Sequence, residues 1–66
     1  MRPQYSPNPN LCEIWPYDPW SRGRITELAS ILGLNWTEVP TTMGTPALKF
    51  DPVAFDHLLF FLKELT

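Results

Sequence analysis

The sequence predicts a single small α+β domain, and three observations carry that expectation. Residues 25–32 and 55–65 each set apolar side chains at helical spacing, behind candidate caps. Between them, two short apolar segments flank a Pro/Gly/Thr connector, the pattern of paired extended chain. With 66 residues, 44% hydrophobic and 18% charged, the chain can close one core but not two.

Residues 1–17 read as a Pro/aromatic-rich arm ahead of a domain over 18–66. Pro3, Pro7, Pro9, Pro16 and Pro19 fall among the first twenty residues, and each disfavours helix in the residue before it. The first ten residues are expected to be loose. Residues 11–20, with Leu11, Ile14, Trp15, Tyr17 and Trp20, should lie on the core, although Leu11–Trp15 is too short to predict a strand.

The first helix follows from Ile25, Leu28, Ala29 and Leu32, spaced i, i+3, i+4, i+7, with Gly33 placed to end it. Its start is either Asp18-Pro19 or Ser21. Gly23 weakens a first turn by up to ~1 kcal/mol, which favours the later start. Trp36–Val39 and Ala47–Phe50 are the expected extended pair around Pro40–Pro46. The second helix has Asp51 as cap, Pro52 at its first position and a stripe of Phe55, Leu58, Leu59, Leu62 and Leu65. Two Asp-Pro starts do not make a repeat array, which needs at least about three copies.

Composition excludes several function classes. Seven acidic and five basic residues leave a charge of −2, too little positive field to hold nucleic acid unaided. One cysteine, Cys12, and one histidine, His57, allow neither a disulfide framework nor a Cys/His zinc cluster. A Cys12/His57 catalytic pair lacks an orienting third group, and His57 sits off the apolar stripe as a surface histidine does. The three glycines are scattered, so no phosphate-cradling loop is expected. The longest apolar run, Leu58–Leu62, is too short to span a bilayer, and Met1–Gln4 has no leader-like apolar stretch. A cytoplasmic protein without cofactor, metal or catalytic residues is the expectation.

Leu28-Ala29, Leu32-Gly33-Leu34 and Val39 match the small-residue and glycine positions that let two helices meet at a sharp angle. Thr45-Pro46-Ala47-Leu48-Lys49-Phe50-Asp51 then leads into a helix. In these features residues 24–65 resemble excisionase-like and MerR-like winged helix-turn-helix domains, which implies a winged-helix-like topology and DNA binding. The chain departs from that pattern in its recognition segment, Asn35–Thr42. Pro40 interrupts it, Glu38 adds negative charge, and no Arg or Lys is present to meet phosphate or guanine.

Binding of another protein is the function the residues favour. On a helical wheel Phe60 points away from the stripe, toward Asp56, His57, Lys63 and Glu64, so either the Trp15/Trp20 arm or a partner covers it. Arg22 and Arg24 form the one basic cluster, either a solvated face pairing with Glu27 or a rim for a partner. Pro16-Tyr17-Asp18-Pro19 matches a bare PxxP, but bulky neighbours favour its being packed. The expected partner-binding residues are Trp15, Trp20, Arg22, Arg24, Trp36 and Phe60. They suit a non-enzymatic inhibitor, adaptor or regulatory subunit. A DNA-binding transcriptional regulator is the alternative, and a homodimer using the same surface is the third reading.

Overall fold

The computed structural model describes residues 2–42 and 44–64. Six elements follow in order: β1 (Tyr5–Asn8), β2 (Glu13–Pro16), α1 (Pro19–Ile31), β3 (Thr37–Val39), β4 (Ala47–Lys49) and α2 (Pro52–Glu64). The strands form one antiparallel sheet in the order β1-β2-β4-β3. Ile14 and Leu48 sit opposite each other on its inner face, and both are fully buried. Ile25 and Ala29 of α1, Phe50, and Ala54, Phe55, Leu58 and Leu62 of α2 complete one core cluster with them. Both helices therefore cover the same face of the sheet, an α+β two-layer arrangement.

The helices run antiparallel. Gly33–Asn35, just past α1, share a cleft with Asp51, Val53, Ala54 and His57 at the start of α2. At the other end, Gln4 N–H donates to Ser21 Oγ of α1 (2.9 Å), while Leu62 of α2 lines a cleft with Arg2–Tyr5.

The first ten residues are not loose. Tyr5–Asn8 pairs with Glu13–Pro16 as a hairpin, and β2 lies inside the sheet between β1 and β4. The arm thus supplies half of the strands. Its turn is closed by Asn8, whose carbonyl accepts from Leu11 N–H (3.2 Å) and whose side chain accepts from Asn10 N–H. Cys12 completes the reversal with a left-handed φ of 54°, an unusual conformation for a residue with a Cβ.

Hydrogen-bond parity explains why proline is tolerated in both strands. Tyr17 N–H donates to Gln4 O and Phe50 N–H to Cys12 O, each at 3.0 Å. In antiparallel ladders such bonds recur at every second residue. Pro7 therefore directs its missing N–H toward the open edge of β1. Pro16 lies beyond Ile14–Leu48, the last β2–β4 pair on that side. Neither proline removes a ladder bond. The same parity leaves β3 offering Glu38 at its free edge, followed by Pro40. Proline at both edges blunts strand addition.

Helix α1 starts at the earlier of the two candidate positions. Asp18 adopts extended geometry and accepts from Ser21 N–H at 2.7 Å, with Pro19 at the first helical position. A cap of this kind contributes about 0.5–2 kcal/mol, enough to outweigh the weakening by Gly23. At the other end Gly33 takes φ +73°, while Gly33 N–H bonds Ser30 O and Leu34 N–H bonds Ala29 O. These are the two bonds of a Schellman motif. Helix α2 is capped as expected, with Ala54 N–H donating to Asp51 Oδ1 at 3.3 Å.

The helical stripes face the core, but unevenly. Phe55, Leu58 and Leu62 are buried, whereas Leu28, Leu32 and Leu59 are half-buried and pack against the cluster from its margin. Leu65 lies outside the described residues. No helix follows Gly33 before β3, so residues 34–36 run without regular structure into an extended strand.

Candidate functional site

The six expected partner-binding residues do not share one surface. Trp15 alternates with Ile14 and lies on the sheet face away from the helices, its Nε1–H donating to Glu13 Oε1 at 2.8 Å. The neighbouring row there, Asn8, Glu13, Lys49 and Thr37, is polar. Trp36 is half-buried and tilted against Phe50, with ring centroids 6.5 Å apart. These two rings line an open groove of 310 Å³ with Asn35, Thr37, Lys49 and Asp51. Trp36 packs against the core, whereas Trp15 is half-buried outside it.

The basic pair is split. Arg22 turns toward β3 and bridges Glu38 (2.6 Å), leaving its Nε buried without a hydrogen-bond partner. Arg24, not Arg22, pairs with Glu27 (2.9 Å), and its guanidinium stands 5.9 Å from the Trp20 ring centroid. Two residues apart on a helix place side chains about 200° apart, which accounts for the separation. Trp20 and Arg24 thus remain together on the outer side of α1, and Arg22 belongs to the fold.

Phe60 is uncovered. Trp15 is on the opposite face of the sheet and Trp20 is itself 47% exposed, so the arm forms no lid. Phe60 is 58% exposed and meets Phe61 at 5.6 Å in a T-shaped arrangement. Phe61 in turn contacts His57 edge-on at 6.3 Å.

Three further residues belong to this surface: Ile31 at 74% exposure, Val53 at 76% and Phe61 at 37%. Val53, His57, Phe60, Phe61 and Glu64 recur at i, i+4, i+7, i+8 and i+11, a second stripe that flanks the core stripe and meets its margin at Phe61. On α1, Trp20, Arg24, Glu27 and Ile31 recur likewise. Among the described residues, five of the seven large exposed hydrophobic residues therefore decorate the outer side of the two helices; Leu11 and Tyr17 lie elsewhere.

Because the helices are antiparallel, this surface has a chemical polarity. Trp20, at the start of α1, lies at the same end of the layer as Phe60 and Phe61. Ile31, at the end of α1, lies at the end where α2 begins with Val53. One end is aromatic and the other aliphatic. The charges interspersed are Arg24 and Glu27 on α1 and Asp56, Lys63 and Glu64 on α2.

Among the described residues, no group of three or more His, Cys, Asp or Glu side chains is arranged to hold a metal ion, and no helix is long and apolar enough to cross a membrane. Cys12 is a free thiol in the β1–β2 turn. Tyr5, half-buried against the core, has its phenol pushed up from the ordinary value by burial, with Arg2 opposing the shift. No protein-family model matches the chain, and no curated protein or solved structure matches it.

Proposed function

We propose that the chain is a non-enzymatic protein-binding module, of the inhibitor, adaptor or regulatory-subunit kind, acting through the outer surface of its helical layer. The carrying observation is the exposure of Val53, Phe60 and Phe61 on α2, beside Trp20 and Ile31 on α1. This is not a symptom of poor folding. The accessible surface is 4300 Å², and scaling gives a folded monomer of this mass about 4,300 Å². The core is closed, and the apolar side chains outside it are surplus to it. Aromatic side chains concentrate binding energy at interfaces because they bury large areas with few torsions to freeze. Trp20 stacked by Arg24 and Phe60 braced by Phe61 have that character.

DNA binding ranks second. It would draw on Arg2, Arg22, Arg24 and Lys49, and their positions weigh against a common footprint. Lys49 lies on the sheet face away from the helices, donating to Leu11 O at 2.9 Å, while Arg22 and Arg24 each already hold a glutamate. A phosphate-neutralising footprint uses about six to ten contacts, so only weak, salt-sensitive background binding to duplex DNA is expected.

The test is capture of partners by the tagged chain, with Phe60→Ala as control. The variant should keep its fold, since Phe60 lies outside the core, and should lose partner affinity by about 2 kcal/mol or more. A Phe60→Ala chain that retains every partner at native affinity refutes the helical surface as the site. A sequence-specific DNA complex persisting at physiological salt promotes the alternative.

A further inference from the structure

We infer that the occupant of the helical surface is a second copy of this chain, paired about a two-fold axis that brings α2 antiparallel to its counterpart. The inference rests on the protein-binding reading above and names the partner for the same surface.

Area is the first argument. Aromatic side chains carry about 150–250 Å² each, so the exposed fractions of Trp20, Phe60 and Phe61, together with Ile31 and Val53, leave apolar surface on the order of 500 Å². A standard interface takes about 800 Å² from each partner, and about 65% of it is apolar in homodimers. The apolar area on offer therefore matches what one side of a standard homodimer buries.

Complementarity is the second. A two-fold interface must match itself, each patch meeting its own image. With the axis across the helices, the aromatic end of one copy lies over the aliphatic end of the other. Phe60 and Phe61 then face Val53 of the second copy, and Trp20 faces its Ile31, setting flat rings against branched aliphatic side chains.

Elimination by geometry is the third. Self-pairing through the sheet is disfavoured at both edges, where Pro7 and Pro40 withhold donors that an added strand would need. The far face of the sheet carries the polar row Asn8, Glu13, Lys49 and Thr37 beside Trp15 and Val39, neither of which is exposed. The helical layer carries most of the large exposed apolar side chains among the described residues.

Sedimentation equilibrium of the purified chain, from micromolar to millimolar concentration, tests the inference, with circular dichroism to confirm folding. The wild type should sediment as a dimer. Val53→Glu and Phe60→Glu, at exposed positions, should stay folded and sediment as monomers, with a dissociation constant raised at least tenfold. Leu11→Glu, also at an exposed position but in the β1–β2 turn, should leave the dimer intact. A wild type monomeric at millimolar concentration overturns the proposal, as does a dimer that survives both helical substitutions or is dissolved by Leu11→Glu. A monomeric wild type refutes the second copy alone; the protein-binding reading then stands or falls on the Phe60→Ala capture experiment.

Discussion

Leu58 and Leu59 are adjacent, chemically identical and differently placed, which makes them a sharp test of the core. Leu58 is fully buried among the sheet and both helices, whereas Leu59 is half-buried at the margin. Truncating Leu58 to alanine removes three carbon atoms from a closed environment. At ~0.8 kcal/mol per methylene-sized group, the transfer loss is about 2–2.5 kcal/mol. The space left behind adds a cavity cost, bringing the total to about 3–4 kcal/mol. At Leu59 part of the side chain already meets water and no closed cavity forms, so about 1–2 kcal/mol is expected. A domain of this size has about 3–10 kcal/mol of stability in all, so Leu58→Ala approaches the limit of folding. Urea unfolding followed by tryptophan emission measures both variants, and Trp15, Trp20 and Trp36 report from three parts of the fold. Should Leu58→Ala fail to fold, Ile25→Val at another fully buried position gives a milder reading of about 0.5–1.5 kcal/mol. If Leu59→Ala costs as much as Leu58→Ala, or Leu58→Ala leaves the midpoint unmoved, the core has been placed on the wrong face of α2.

Asp18→Ala should lower stability by about 1 kcal/mol and more than Asp51→Ala, because its bond to Ser21 N–H is 2.7 Å against 3.3 Å for Asp51 to Ala54; paired urea midpoints decide this. Gly33→Ala should cost about 1–2 kcal/mol despite open space around the Cβ position, since the penalty lies in φ +73°; an unchanged midpoint would show the Schellman turn relaxing freely. Tyr5 is held neutral by burial, so its folded pKa exceeds its unfolded value. Its contribution is intact below about pH 10 and is lost as pH rises through the folded value, where the unfolded chain binds fewer protons. Melting curves of wild type and Tyr5→Phe should therefore diverge only above that pH, the wild type losing stability faster; parallel curves would contradict the assignment.

The sequence by itself determined the two helices, the Asp51-Pro52 start of α2, the glycine stop of α1 and the short strand pair β3–β4. Each of these is local: a cap reaches three residues, a stripe repeats within seven, and a left-handed turn needs one glycine. Tertiary structure decided the rest. Five prolines argued for a loose arm, yet whether a strand proline costs anything depends on which way its missing N–H points, and only the pairing register fixes that. The cap at Asp18 prevailed over the weak first turn at Gly23 once Ser21 was buried and bonded to Gln4, seventeen residues away. The binding surface divides in the same way. The stripe Val53, His57, Phe60, Phe61 is a periodicity flanking the core stripe of α2, but sequence could not say which tryptophan would join it. Trp15 and Trp36 were taken up by the far face of the sheet and by Phe50, and Arg22 by Glu38, through partners up to sixteen residues distant. Periodicity reports which residues share a face of one element. Which faces meet is set by packing between elements, and that left Trp20, Ile31, Val53, Phe60 and Phe61 facing solvent on the helical layer.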